Sequence, residues 1–327
     1  MPPAETPFVR PDVRQFLAYL NALPGPRTHE LTPEQARQVY LQAKDLTDLP
    51  VGDLAIVREV TIPGPAGPIP ARLFDAAPSR APGPVVVFFH GGGFVIGDLD
   101  THAGFCAEAT RMLGLPVVSV DYRLAPEHRW PAAPDDAEAA ARWVADSPAE
   151  LGCKATALVL MGDSAGGMLT INTAVALRDA PAAVPVIVQA PLYPVVDPGG
   201  EYDSFDAFAE GYLLTRPTMI WFADAYAADL QHQRGSPLLA GLAGLPPAVV
   251  IAASLDPLRD QGRAFAAQLA LAGVPVTYRE AVGNIHGFAT LRKAIPSSVG
   301  DVAGFLLVVR ALVAETEGAR VMRQAAA

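Results

Sequence analysis

The chain reads as an α/β protein built on one mainly parallel sheet, and three observations predict it. Apolar runs alternate with helix-like stretches along most of the length, the pattern that parallel strands joined by right-handed helical crossovers produce. The strand-like runs are apolar nearly throughout, as strands covered on both faces require. Hydrophobic residues make up 51% of the 327, enough to cover both faces of a large sheet.

Taken in order, Pro11 to Ala22 and Thr32 to Leu46 read as amphipathic helices placed before the first strand. Strand-like runs follow at Ile56 to Ile62, Ala71 to Phe74, Val85 to Phe89 and Val117 to Asp121. Four more lie at Ala157 to Met161, Val186 to Ala190, Val249 to Ala253 and Val276 to Glu280, which predicts eight strands. Helical stretches accompany the later ones: Ala132 to Asp146, Ser164 to Arg178, Arg259 to Leu271 and Val299 to Glu315. One segment breaks the rhythm. Asp203 to Arg234 is an insertion that carries Phe205, Phe208, Tyr212, Trp221, Phe222 and Tyr226. Gly235 to Leu255 runs 21 residues without a charge, close to the roughly 20 of a membrane span. Pro237, Pro246 and Pro247 would break such a helix, so a loop followed by a buried strand is expected instead. Met1 to Pro7 lacks the charged start and apolar core of a signal peptide.

Two glycine-rich segments carry the chemistry. Gly162-Asp163-Ser164-Ala165-Gly166-Gly167 joins the apolar run Ala157 to Met161 to a helix-like stretch. A turn that tight needs glycine at its flanks, and it lifts a serine hydroxyl out of the sheet at a helix N-terminus. Upstream, His90-Gly91-Gly92-Gly93 follows Val85 to Phe89. Attack by a serine on a carbonyl leaves negative charge on oxygen, and an N–H aimed at that oxygen contributes about 2.7–4 kcal/mol. The bare backbone of three glycines lets such an oxygen approach. A phosphate cradle would need a following Gly-Lys-Ser/Thr, which is absent. Either segment alone would read as a turn. Together they supply a nucleophile and the donors it requires.

The base and the acid follow from chain order, since in sites of this construction both come after the serine. Of the six histidines, only His232 and His286 do. His232 lies in the polar stretch Asp229 to Arg234, whereas His286 lies in Gly283 to Phe288, expected as a short loop after a strand. His286 is the expected base. Asp256 follows Ala248 to Ala253, one strand before His286, and suits the acid best. Asp197, after the run Val186 to Ala190, is its rival, and Asp260 is expected inside the next helix. Asp256 also suits the N-cap of the helix from Arg259, a structural role that need not exclude catalysis.

With these pieces in place the chain resembles the bacterial hormone-sensitive-lipase-like esterases, family IV of the α/β-hydrolase superfamily. The match runs through His90 to Gly93, Asp121-Tyr122-Arg123-Leu124-Ala125-Pro126-Glu127-His128, Gly162 to Gly167, Asp256-Pro257-Leu258-Arg259-Asp260 and His286-Gly287-Phe288. The resemblance implies a catalytic triad of Ser164, Asp256 and His286, with Gly91, Gly92, Gly93 and Ala165 as the oxyanion hole. It implies Tyr122, Arg123 and Glu127 as scaffold beneath the site. It also implies a cap formed by residues 1–50 and by 203–234, the latter inserted in a catalytic domain spanning 51–327. The activity it implies is hydrolysis of short- to medium-chain carboxylic esters, with a small ester as partner and no metal or organic cofactor. An amidase, lactonase or arylformamidase would use the same triad. Receptors of this fold lose the histidine, and the presence of His286 argues against that reading. A homodimer through Val276 to Glu280 and the C-terminal helix is expected on the same grounds. Two departures stand out. Ala103 follows Gly97 to His102 where relatives often have aspartate, and Asn284 stands where methionine is frequent. Both are expected at the pocket rim.

Bulk properties exclude other classes. A net charge of −10 without any Lys/Arg run argues against a nucleic-acid partner. The two cysteines, Cys106 and Cys153, have no metal-ligand spacing and fit free thiols in a reducing, cytoplasmic setting.

Overall fold

All eight apolar runs become strands of one sheet in the computed structural model, which describes residues 7–325. The reading of Met1 to Pro7 therefore falls almost wholly outside the described residues. The strands are β1 (Ile56–Gly64), β2 (Gly67–Asp75), β3 (Gly83–Phe89), β4 (Val117–Val120), β5 (Ala155–Asp163), β6 (Val186–Leu192), β7 (Ala248–Leu255) and β8 (Val276–Ile285). Their order across the sheet is β1-β2-β4-β3-β5-β6-β7-β8. β1 and β2 form an antiparallel hairpin, and β2 lies antiparallel to β4. Every later pairing, from β4–β3 to β7–β8, is parallel. The parallel strands all point their carboxyl ends to one side, where their following loops gather the site residues.

The helices are α1 (Pro11–Ala22), α2 (Pro33–Thr47), α3 (Ala103–Leu113), α4 (Ala132–Ala145), α5 (Ala165–Asp179), α6 (Asp203–Ala207), α7 (Arg216–Tyr226), α8 (Arg259–Leu271) and α9 (Ser298–Ala325). They cover both faces. α4, α5 and α8 pack on one side with Val85, Val87, Leu158 and Leu160. α3 and α9 pack on the other with Val86, Phe88, Val159 and Met161. None of these strand residues touches water, and each gains about 1.5–3 kcal/mol from its burial. This is why the runs read as continuous apolar stretches rather than alternating ones.

Several strands run a few residues beyond their expected bounds, β2 starting at Gly67 rather than Ala71, and four larger departures stand out. α3 was not expected. It starts without a side-chain cap, and its small residues Ala103, Cys106, Ala107 and Ala109 are buried around most of its girth. α9 continues to Ala325, ten residues beyond the expected end at Glu315. β8 continues to Ile285 instead of stopping at Glu280, because Leu255 pairs with Ile285 after an irregularity in the β7–β8 register. The insertion contains two helices, α6 and α7, and the second starts with Thr215 accepting from Thr218 N. Gly235 to Leu255 is a 3-10 turn at Pro237–Leu239 followed by β7, as expected.

The pre-sheet segment and the insertion meet. Val13 and Leu17 of α1 share an apolar cluster with Phe208, Leu255, Ile285, Leu291 and Ile295. Asn21 Nδ2 donates to Gly211 O at 3.2 Å, and His29 Nδ1 lies 3.4 Å from Thr218 Oγ1. α2 is started by a capping box: Thr32 Oγ1 accepts from Gln35 N, and Gln35 Oε1 accepts from Thr32 N. Such a cap contributes about 1 kcal/mol.

Candidate active site

Ser164 sits at the junction of β5 and α5 with φ 53° and ψ −116°, a strained conformation for a residue with a Cβ. The strain is held by packing on both sides. A Cβ at Gly162 would strike the backbone of Gly166 and Phe89, and one at Gly166 would strike Phe89 and His90. Ser164 N donates to Leu192 O at 2.9 Å, and Ser164 O accepts from Met168 N and Val195 N. Strand, helix and the end of β6 thus fix the serine backbone.

The loop after β3 lies against this turn. Gly91 N donates to Asp163 Oδ1 at 2.7 Å, and Tyr193 OH reaches Asp163 Oδ2 at 3.4 Å. His102 Nε2 lies 3.2 Å from Asp163 Oδ1. Burial works to raise the pKa of Asp163, but its interactions with His102, and beyond it His90, prevail and hold the carboxyl below its ordinary value. Tyr122 OH donates to His90 O at 2.7 Å, and Ala125 N to Phe94 O at 2.8 Å. Arg37 of α2 donates to Val95 O and Ala125 O while pairing with Glu127. Arg123 pairs with the buried Asp136. Tyr122, Arg123 and Glu127 therefore occupy the scaffold positions expected of them. Gly91 does not fit its expected place: with its N–H bound to Asp163 it anchors the loop instead of donating into the site. Among the described residues, the N–H groups of Gly92, Gly93 and Ala165 have no acceptor.

His286 directly follows the end of β8, because the strand takes up residues expected as a short loop. Its Nε2 is 2.9 Å from Ser164 Oγ, and its Nδ1 is 2.7 Å from Asp256 Oδ2. Asp256 is fully buried at the end of β7, while Ser164 and His286 are each 8% exposed. The other carboxylate oxygen of Asp256 accepts from Leu258 N at 2.8 Å. The N-cap of α8 is Leu258, so the expected capping role of Asp256 does not occur. Asp197 is turned elsewhere, accepting from Tyr202 OH at 2.8 Å and Ser236 Oγ at 2.9 Å. His232 is exposed, and Asp260 lies in the first turn of α8.

Two insertion residues border the site. A Cβ on Gly93 would strike the ring of Phe222, and Leu213 Cδ2 lies 3.9 Å from the Cβ position of Gly287. Neither departure noted in the sequence reaches the rim. Ala103 is buried at the start of α3, and Asn284 is fully buried with its side chain on α9. The sequence reading missed Asp163, His102, Phe222 and Leu213 as parts of the site, since nothing in their local pattern reports what they touch. Cys106 is buried, and that burial pushes its thiol up to about 12, leaving it unreactive. Among the described residues no group of three or more His, Cys, Asp or Glu is arranged to hold a metal ion. No described helix is long and apolar enough to cross a membrane.

Comparison with known proteins gives a consistent result. Residues 86–290 match a family described as having the alpha/beta hydrolase fold. Esterase LipI of Mycobacterium tuberculosis is 37% identical over 305 residues, covering 91% of this chain and 94% of that protein. An ethyl acetate hydrolase of Pseudomonas putida is 34% identical, over 87% of this chain and 91% of its own length. Among solved structures, an ester-hydrolase from the metagenome of Lake Arreo, complexed with a bipyridine phosphonate derivative, superposes with a TM-score of 0.88. It is 37% identical over 93% of this chain and 98% of that one.

Proposed function

This chain belongs to the α/β-hydrolase family, and from that premise we propose that it is a serine carboxylesterase acting on short- to medium-chain esters. The observation that carries the reading is the continuous hydrogen-bonded line from Ser164 through His286 to Asp256, beside three N–H groups with no other acceptor.

The geometry supports a two-step acyl transfer. Asp256 accepts from Nδ1–H of His286, which leaves the Nε2 lone pair to accept the Ser164 hydroxyl proton. Ser164 Oγ bonds to the carbonyl carbon as that proton moves to Nε2, and the carbonyl π pair becomes an oxyanion. Gly92, Gly93 and Ala165 donate to it, assisted by the N-terminus of α5. Collapse breaks the carbon–oxygen bond of the leaving alcohol, which takes the proton from His286. Water then attacks the acyl-enzyme, gives its proton to His286, and Ser164 is regenerated.

Chain-length preference rests on the cap. Val13 and Leu17 of α1 and Phe208 of the insertion share an apolar cluster with Leu255 and Ile285, the residues immediately before Asp256 and His286. Phe222 and Leu213 stand at the two sides of the site. This enclosure favours acyl chains that end within it over long chains presented at a lipid surface. β8 is one of the two edge strands, and among the described residues no strand lies beyond it; a homodimer formed along it belongs to the same proposal.

The test is hydrolysis of p-nitrophenyl acetate, butyrate, caproate and palmitate. The expected optimum lies at butyrate or caproate, and Ser164→Ala is expected to lower kcat by about a million-fold with the fold retained. A palmitate rate above the butyrate rate would overturn the preference. Retention of more than about a thousandth of the activity in Ser164→Ala would overturn the nucleophile.

A further inference from the structure

The segment that carries His286 is permissive by its own sequence. It lies between Gly283 at φ 75° and Gly287 at φ 77°, so two glycines in the left-handed region flank three residues. Glycine enters that region and leaves it with equal ease, so the backbone torsions alone do not hold the imidazole in place. One side of the segment is held by β7: Ile285 pairs with Leu255, and Gly283 N donates to Ser254 Oγ at 2.7 Å. Arg10, the residue before α1, holds the other side across a sequence separation of more than 270 residues. Its backbone N–H donates to Gly283 O at 3.2 Å, and its Nε donates to Val282 O at 2.7 Å. Its two terminal nitrogens grip the carboxylate of Asp301 in α9 at 2.6 and 3.0 Å. Asp301 Oδ2 in turn accepts from Nδ2 of the fully buried Asn284 at 2.9 Å, and that same amide reaches Ser298 Oγ at 3.0 Å. Asp12 adds a second tie, accepting from Ser297 N at 2.8 Å.

Guanidinium, carboxylate and carboxamide thus close a ring around Val282, Gly283 and Asn284, and the next two residues are Ile285 and His286. The forked Arg–carboxylate contact fixes direction as well as distance, which a single hydrogen bond does not. We propose that Arg10, Asp301 and Asn284 are positioning residues for the general base. They hold the end of β8 so that the His286 imidazole stays between Asp256 and Ser164, and they make turnover depend on the docking of Arg10 at the start of α1. The proposal rests on the esterase reading of His286.

The experiment compares full-length wild type with Arg10→Ala, Asn284→Ala and the double variant on p-nitrophenyl butyrate, each far below its own melting temperature. The expected result is a fall in kcat of about ten- to a hundred-fold in each single variant, the scale of a misplaced catalytic group. KM is expected to stay within about twofold, since the substrate pocket is untouched. The double variant should be little worse than the poorer single one, because both losses pass through Asp301. Unchanged kcat with a lowered melting temperature, a loss confined to KM, or losses that multiply would each overturn the proposal. If Arg10→Ala does not fold, Arg10→Lys carries the test: it keeps a cation beside Asp301 but gives up the forked grip and the bond to Val282. A smaller kcat loss at constant KM supports the clasp, and wild-type kcat overturns it. A readout independent of turnover is the far-downfield proton signal of His286 Nδ1–H, identified by its absence in His286→Ala. It should be sharp in wild type and broadened in Arg10→Ala; a signal unchanged there overturns the clasp whether or not the protein cleaves esters. A wild type inactive on every ester would overturn the esterase reading and leave the clasp to be decided by that signal.

Discussion

Ser164 and His286 stand 2.9 Å apart yet owe their positions to different kinds of structure. The serine is set by its immediate neighbours: glycines that admit the crossing of β3 and α5, a backbone bond to Leu192, and a carboxylate at the adjacent Asp163 that reaches across to Gly91. The histidine is set by Asp256 and by the end of β8, which pairs with β7 and is tied to distant side chains, Arg10 on one side and Asn284 with Asp301 on the other. A nucleophile placed by local sterics tolerates change elsewhere in the molecule, because its strain is opposed on the spot. A base placed by distant polar contacts inherits the fate of the segments that supply them.

The sharpest way to probe that contrast is at the acid. Asp256→Asn should lower kcat by about ten-thousand-fold, as loss of the carboxylate that sets the imidazole tautomer does. Asp197→Asn should leave turnover close to wild type, since its carboxylate holds Tyr202 and Ser236. Steady-state kinetics decide, and an inactive Asp197→Asn beside an active Asp256→Asn would reverse the assignment.

The next effect is on the serine's side. Gly93→Ala should cost about a hundred-fold in kcat, the scale of one lost oxyanion donor, because its new Cβ meets the Phe222 ring. Adding Phe222→Ala should recover part of this and no more. Gly93 has φ 61°, and an alanine there still carries about 1–2 kcal/mol of backbone strain. A Gly93→Ala enzyme equal to wild type would show that this loop yields, and that the serine's side is not the rigid one.

The smallest effect concerns stability. His90 stacks on Tyr122 at 4.3 Å, donates from Nδ1 to Gly91 O, and faces His102, Asp163, Asp98 and, at 3.9 Å, Asp121. Burial first, and then the charge interaction with His102, bring its pKa down from 6.5 to about 4. The unfolded chain therefore takes up a proton that the folded one refuses, so stability falls as pH drops through that window. The full cost is of order 3 kcal/mol by pH 4. Asp121, raised from 3.8 to about 6 by burial and by Asp98, acts in the opposite sense over nearly the same range. The informative quantity is thus the difference between wild type and His90→Asn, whose amide keeps a donor for Gly91. Urea denaturation at pH 7 and pH 4.5 should show a smaller acid loss in the variant; equal losses would remove His90 as the cause.

The same contrast explains what could be read from the chain. The eight strands are legible because burial on both faces makes each a continuous apolar run, and Ser164, Asp256 and His286 follow strand ends in the expected order. The elbow and the oxyanion loop are legible because the constraints on them act within a few residues. α3 is not: it starts without a side-chain cap, and its buried face is built largely of alanines and a cysteine, so its apolar stripe carries little bulk to mark it. The end of β8 is misread because Gly283-Asn284 looks like a turn, whereas the chain continues to pair until Ile285. The engaged N–H of Gly91 and the inward amide of Asn284 depend on partners 72 and 17 residues away, and no local pattern announces either.

α1 and α2 are fastened to the body by separate means. Arg10 and Asp12 hold the first to the start of α9, while Arg37 and the buried Asp48–Arg292 pair hold the second beside the oxyanion loop and the segment after His286. Between them, residues 23–27 are exposed. The peptide chain there is a tether whose tension nothing requires. A protease that cut it would sever the sequence without freeing either fragment, and the two pieces would remain one particle until a denaturant parted them.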